Sequence, residues 1–293
     1  MRHMIQISRA ALTAAALALA LAGCAPSGGP PTASDIRAER QQARALVADL
    51  DAKDKLVEDR ALTAYLAGIL RRVDAQRPQG SVPLQGVIVA DADVNAFTTG
   101  GGYVFVNAGL IAAMENEAQL AMVLSHEVAH VDRGHIAAAK DARAAAGVAG
   151  LLASVGAAAL GVSGELINPV IGLGQNAAVA GYSRGQEEDA DITGLRYLSG
   201  AGWDAVEGAR SFEVLRRLYG DGSGFLSSHP SSSGRQAMLV RMAQAQGARG
   251  GAVNEAEYLR ATDTIRRQVL VSLRAQGRDR EAAQLNRNIR ALR

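Results

Sequence analysis

The spacing of hydrophobic positions changes along the chain, and each change predicts a different element. From Ser34 to about Arg77, Leu46, Leu50, Leu56, Leu62, Leu66 and Leu70 recur near helical spacing among Ala, Arg and Asp, which predicts one or two helices. Between Gln85 and Asn107 the pattern contracts to three short apolar runs, Gly86 to Ala90, Val94 to Thr98 and Gly102 to Asn107. Acidic or glycine-rich turns separate them, so they read as strands of a small sheet. A long helix is predicted from Glu115 to Glu117 onward, through Leu120, Val123 and Leu124. Residues 144–183 are nearly free of charge, but Ala and Gly dominate and Asn168, Pro169, Gln175 and Asn176 interrupt the second half. Such a stretch gains little in hydrocarbon, which predicts a helical lid packed on the protein or touching a bilayer, in preference to a membrane hairpin. Helical patterns resume from Asp191, broken at Gly220 to Gly224 and Ser227 to Gly234. The fold class expected is α+β, predominantly α, with a small sheet beside a long helix.

The first residues follow a different logic. Arg2 and Arg9 precede an apolar run from Ala10 to Ala22, too short to span a bilayer and placed as the core of a secretory signal. It ends in Leu21-Ala22-Gly23-Cys24, which resembles the bacterial lipobox, and Cys24 is the chain's one cysteine. An exported chain with one cysteine forms no internal disulfide, so lipidation supplies the reason for Cys24. The expected organisation is a signal peptide at 1–23, a lipidated tether at 24–33, a catalytic domain at 34–243 and a helical tail at 244–293. The expected location is the periplasmic side of the bacterial envelope, anchored by lipid; Ala25 after the cysteine resembles the outer-membrane sorting pattern. The chain has 31 Lys and Arg against 29 Asp and Glu, and Arg2 and Arg9 fall in the leader, so the mature chain is formally neutral. No basic field points to nucleic acid. With aromatic residues at 4% and Ala and Gly abundant, closely packed helices are favoured over an aromatic-rich sheet.

Candidate chemistry centres on His126-Glu127-Val128-Ala129-His130, inside the predicted long helix. At positions i and i+4 two imidazoles share a face with Cβ atoms about 5–6 Å apart, close enough to bind one zinc ion. Glu127, rotated by about 100°, misses the coordination shell but reaches a water beside it, the place for a general base. A catalytic zinc needs a third protein ligand, and Glu187 to Asp191 (EEDAD) offers one. Glu187 is the ligand expected, and Asp191, one turn on, accepts a hydrogen bond from a ligating imidazole. His135 is expected to orient or pack near the site rather than to ligate, because five residues of helix turn it to another face than His130.

These motifs together resemble the HtpX/BepA/LoiP-type family of membrane-associated zinc metalloproteases, which also includes the CAAX prenyl proteases. The resemblance runs from about Gly86 to Met242, through Asn95-Ala-Phe97, Tyr103 to Val106, His126 to His135, Tyr182-Ser-Arg184, EEDAD, Ala201-Gly-Trp203, Ser228-His-Pro230 and Arg235. It implies a zincin-like fold with one zinc on His126, His130 and Glu187, Glu127 as catalytic base, and Asp191 behind the ligands. It also implies a role for His229 near the site, either stabilising an oxyanion or occupying the open zinc position in a latent state. About fifty residues follow Met242, too few for a long repeat platform, so the layout is closest to the LoiP-like lipoproteins. The expected activity is endopeptidase action on unfolded or misassembled envelope proteins. The alternative is a lipoprotein chaperone or assembly factor with a structural or latent zinc site. The strand at Tyr103 to Asn107 is expected to offer its edge to an extended peptide, by backbone pairing.

Overall fold

The structure, a computed structural model, describes residues 31–139, 182–219, 225–229, 233–245 and 250–291. The first 30 residues, Cys24 among them, and nearly all of the charge-poor stretch at 144–183 lie outside the described residues. Helix α1 (Ala33–Ala52) opens on a capping box in which the Thr32 side chain accepts from the Asp35 amide and Asp35 answers the Thr32 backbone. One face of α1, carrying Ala43, Leu46, Val47 and Leu50, lies on one side of the sheet against Val89, Tyr103, Phe105 and Phe97. Helix α2 (Arg60–Asp74) is capped by Asp59 and buries Leu62, Leu66 and Leu70 of the predicted stripe together with Ile69 and Val73, whereas Leu56 lies before the helix and bridges to Val89.

Strands β1 (Gln85–Val89), β2 (Ala96–Gly100) and β3 (Tyr103–Asn107) form a sheet in the order β1-β3-β2, with β3 parallel to β1 and antiparallel to β2. Alternation along β3 splits its side chains between two layers. Tyr103 and Phe105 face α1, while Val104 and Val106 join the main core with α2. This arrangement corrects the expectation for the strand edge. β3 is the central strand, bonded on both sides, and has no edge for a peptide; segment 55–57 also runs along the outer side of β1, with the Val57 amide donating to the Ile88 carbonyl at 3.0 Å. The β2–β3 turn has Gly100, Gly101 and Gly102 all at positive φ, and the buried Glu39 carboxylate of α1 accepts from the Gly101 amide at 2.8 Å.

A short helix α3 (Ala108–Ala113) leads to α4 (Glu117–Asp132), whose N-cap Asn116 accepts from the Gln119 amide at 3.0 Å. Every residue from Glu117 to Val131 is buried, so α4 is a central helix surrounded on all sides. Both ends of α4 are held by charged side chains. Glu117 accepts from Arg72 at 3.0 Å, Trp203 Nε1 at 2.7 Å and Asn254 at 2.7 Å, and from the Tyr65 hydroxyl. At the other end Asp132 takes a bidentate pair from buried Arg77 at 2.9 and 2.6 Å, and a hydrogen bond from Tyr197. An acid at a helix C-terminus opposes the macrodipole, and the guanidinium offsets it.

Helix α5 (Arg184–Gly200) lies along α4 and is followed by α6 (Ala205–Ala209), α7 (Ser211–Tyr219), α8 (Phe225–Ser228) and α9 (Ser233–Ala245). Helices α10 (Glu255–Ala275) and α11 (Asp279–Ala291) pack into the same core through Tyr258, Val269, Leu273, Ala282 and Leu285. Tyr258 donates to the Ile111 carbonyl at 2.7 Å and buried Arg266 to that of Met114, tying the chain's end to the segment that enters α4. The outcome is the α+β, predominantly α architecture expected. Among the described residues no helix is long and apolar enough to cross a membrane.

Candidate metal centre

Three elements converge on one buried point. Helix α4 contributes His126, Glu127 and His130, each at most 1% exposed, with the two Nε2 atoms 3.0 Å apart. Helix α5, opened by a capping box between Ser183 and Gln186, places Glu187 in its first turn and Asp191 one turn later. Glu187 oxygens lie 3.7 Å from His126 Nε2 and 3.5 Å from His130 Nε2, and Asp191 Oδ1 lies 3.0 Å from His126 Nδ1. The close approach of α5 to α4 depends on Gly194, where a Cβ would stand 2.9 Å from the His126 amide nitrogen. His229, just after α8, enters from the third side. Its Nδ1 is 3.0 Å from Glu187 Oε1 and 3.2 Å from His126 Nε2, and its Nε2 is 3.3 Å from Glu127 Oε1. His126, Glu127, His130, Glu187, Asp191 and His229 are thus brought together at one place, while Cys24, the expected lipidation residue, lies outside the described residues.

One ligand atom from each of His126, His130, Glu187 and His229 falls within 4.8 Å of the others. Imidazole nitrogens with a carboxylate oxygen are the donors that a divalent transition-metal ion takes. Both Glu127 oxygens are buried without a well-formed hydrogen bond, although His229 Nε2 is near. A buried carboxylate in that condition is costly unless a bound group supplies a donor. The residues therefore fit a metal ion with a water beside Glu127.

Several neighbours at the site carry no role in the motif as read from sequence. Arg235 of α9 reaches in, with Nη1 2.9 Å from Glu187 Oε2 and Nε 2.7 Å from Asp191 Oδ2, holding both carboxylates. Tyr182 stacks on His130 with ring centroids 3.8 Å apart. Both residues stand within the resembling segments, but nothing in their spacing assigns them contacts. His135 approaches His130, Nδ1 to Nδ1, at 2.9 Å. The five-residue spacing predicts another helical face, and the difference has a local cause: α4 stops at Asp132, and Gly134 at φ +67° turns the chain back.

The protein's own charges set the proton affinities. Burial pushes the Glu127 carboxyl up, against the opposing fields of His229 and His126. Burial also pushes His130 well down, helped by the neighbouring imidazoles, so His130 is neutral with a lone pair to give. For Glu187 burial acts upward but is outweighed by the hydrogen bond and field of His229, with His126 and Arg235 adding to them, and the carboxyl ends below its ordinary range. Asp191 is depressed likewise: burial raises it, and His126 and Arg235 more than offset that. His229 moves up, since Glu127 and Glu187 outweigh its burial.

Comparison with known proteins gives the family. The model of peptidase family M48 matches residues 57–243, more than half of the chain, from the segment before α2 through α9. The chain belongs to peptidase family M48. Among its relatives, the beta-barrel assembly-enhancing protease of Yersinia pestis is 30% identical over 54% of the chain and 33% of its own length. The mitochondrial metalloendopeptidase OMA1 of Schizosaccharomyces pombe is 30% identical over 59% of the chain and 50% of its own length. The metalloprotease YcaL of Escherichia coli is 31% identical over 52% of the chain and 59% of its own length. The chain thus spans about a third to three fifths of these relatives. As an M48 member it carries a metalloprotease domain, and the His126, His130, Glu187 and His229 cluster lies within the matched residues.

Proposed function

We propose that the protein is a zinc-dependent endopeptidase acting on unfolded or misassembled proteins of the bacterial cell envelope, anchored by a lipid on Cys24 at the periplasmic face, on the outer membrane. The observation that carries the catalytic part is the buried, donor-poor Glu127 carboxylate beside a compact His126, His130, Glu187 and His229 cluster. A structural site needs ligands and no adjacent base, whereas hydrolysis needs both. Two imidazoles and a carboxylate suit zinc among the common divalent ions. The envelope substrate is supported by the name of the Yersinia relative, an assembly-enhancing protease, and by the leader and Leu21-Ala-Gly-Cys24.

In this reading His126, His130 and Glu187 hold the ion. Bound there, zinc supplies Lewis acidity, making water a better acid and a peptide carbonyl a better electrophile. Glu127 takes the proton of the attacking water on a carboxylate oxygen and returns it to the leaving amine. Asp191 accepts the Nδ1–H of His126, which keeps the Nε2 lone pair turned toward the cluster. Arg235 holds Glu187 and Asp191 in place and offsets their charge. His229, close to His126, Glu187 and Glu127 alike, is a fourth donor that also engages the base, an arrangement suited to a latent resting state. Turnover then requires His229 to withdraw.

The test is metal analysis of the purified protein alongside digestion of an unfolded protein with and without chelator. One zinc per chain and chelator-sensitive cleavage are expected. A folded protein without stoichiometric metal rules the reading out. Fractionation of a Cys24→Ser variant tests the anchor: release into the soluble periplasmic fraction is expected, and unchanged membrane retention contradicts it.

A further inference from the structure

An imidazole that gives its Nε2 lone pair to a metal must carry its proton on Nδ1, and that N–H needs an acceptor when buried. For His126 the carboxylate placed to accept it is Asp191, with Oδ1 3.0 Å from Nδ1 although without a well-formed hydrogen bond. His130 has no carboxylate in that position. Its Nδ1 faces His135 Nδ1 at 2.9 Å, and both rings are fully buried. Two ring nitrogens at this distance attract only if one carries hydrogen and the other a lone pair. Since His130 must be the donor, His135 Nδ1 must be the acceptor, and the proton of the neutral His135 ring then sits on Nε2. That nitrogen lies 3.3 Å from Asp189 Oδ2, and Asp189 is itself held by Arg133 Nε at 2.6 Å. The His130–His135 contact is a hydrogen bond, and the His135 Nε2–Asp189 contact is a close approach that is not a well-formed hydrogen bond, so Asp189 acts on His135 chiefly through its charge.

We propose that His135 and Asp189 are positioning residues for the metal site, forming a His130–His135–Asp189 relay that fixes the tautomer and ring plane of the second imidazole ligand. The proposal rests on the reading of His126, His130 and Glu187 as ligands. It gives the acidic run of α5 a division of labour: Glu187 toward the ion, Asp191 behind His126, and Asp189, 26% exposed at the flank, behind His130 through His135. The glycine turn makes the relay possible, because Gly134 at φ +67° ends α4 and returns His135 beside His130. Tyr182 stacks on the His130 ring, so the imidazole is fixed by a ring contact as well as by its hydrogen bond.

The experiment measures zinc affinity of the full purified chain by competition with a chromophoric chelator. His135→Leu keeps bulk but offers no acceptor, and is expected to weaken zinc binding by about 10–100-fold, the usual cost of losing such a partner. His135→Asn sets an amide oxygen near the former Nδ1 position and is expected to recover most of that loss. Asp189→Ala is expected to weaken binding by less. The double variant His135→Leu with Asp189→Ala is expected to bind no more weakly than His135→Leu alone, because Asp189 acts only through His135. A purely packing role for His135 predicts no rescue by Asn, and independent roles predict additive losses; either result overturns the proposal, as does His135→Leu binding within about threefold of wild type. If His135→Leu does not fold by far-ultraviolet circular dichroism, Asp189→Ala and His135→Asn decide, and unaltered affinity in Asp189→Ala overturns the relay. Unchanged zinc affinity in His130→Ala overturns the ligand reading and the relay with it, whereas loss there with no effect at His135 removes the relay alone.

Discussion

Replacing Glu127 with Gln separates chemistry from architecture more sharply than any other single change. The two side chains have nearly the same shape, and neither Glu127 oxygen makes a well-formed hydrogen bond, so the substitution removes charge without removing a tie that holds the fold. Burial pushes the Glu127 carboxyl up because the charged form is costly there. Gln is therefore expected to leave thermal stability of the metal-free protein unchanged or slightly raised, within about 1 kcal/mol, or about 2–4 °C in Tm. Metal content should not fall, since Glu127 lies outside the four-residue donor cluster. Turnover, in contrast, should drop by about 10²–10⁴ for loss of a general base, which corresponds to about 2.7–5.4 kcal/mol of activation free energy. The assay is cleavage of a fluorogenic unfolded substrate, run beside atomic absorption of the same samples and a thermal melt. Turnover within a factor of about ten of wild type refutes the base assignment. Loss of metal, or a melt lowered by many degrees, shows instead that Glu127 is a ligand or a structural tie.

Glu117→Ala leaves Arg72, Trp203 and Asn254 without their shared acceptor. Breaking such a pair costs about 3–5 kcal/mol when fully buried, and since Arg72 is 37% exposed the lower end applies; calorimetry should show a Tm drop of roughly 6–12 °C, and a change under about 2 °C would contradict the hub. Gly194→Ala pushes a methyl into the His126 backbone, so α5 must retreat from α4; a cost of about 1–3 kcal/mol and weaker zinc binding are expected from melts and chelator competition, and unchanged zinc affinity counts against the close-approach reading. His229→Ala should raise basal proteolysis of an unfolded substrate if His229 holds the resting state, and a fall would assign it to transition-state stabilisation. The Tyr197 hydroxyl is pushed up to about 12 by burial and by neighbouring Asp132. Its folded-state value lies above the unfolded one, so the proton-bound form stabilises the fold below pH of about 10 and that contribution is lost as pH rises from there toward 12. Urea midpoints should decline over that range in wild type and decline less in Tyr197→Phe; parallel curves would show that Tyr197 does not contribute.

Much of the site was legible because its information is local. His126, Glu127 and His130 share one turn-and-a-bit of a single helix, and Glu187 and Asp191 share another, so residue type plus the helical repeat fixes which side chains are neighbours. The strands were legible for the same reason, β2 to within two residues: short apolar runs bounded by turn residues define them wherever they pair. Their order was not, because pairing joins residues far apart in sequence, and the position of β3 between β1 and β2 follows from which faces α1 and α2 cover. His135 shows how a local exception defeats a periodic rule, since one left-handed glycine cancels the phase that the helix would otherwise carry forward.

The sequence by itself determined the ingredients: a divalent-metal motif on a helix, an acidic helix beside it and a predominantly helical chain with one small sheet. Only the tertiary structure decided which groups stand behind those ingredients. Arg235 across Glu187 and Asp191, His229 against both Glu187 and Glu127, Asp189 behind His135, and Glu117 gathering four donors from three parts of the chain are contacts between residues 42 to 137 positions apart or joined through such contacts. Helical and strand periods describe neighbours within a few residues, whereas these partners are chosen by the packing of whole helices around a buried core, where each unpaired charge must find whatever counterpart the fold brings near.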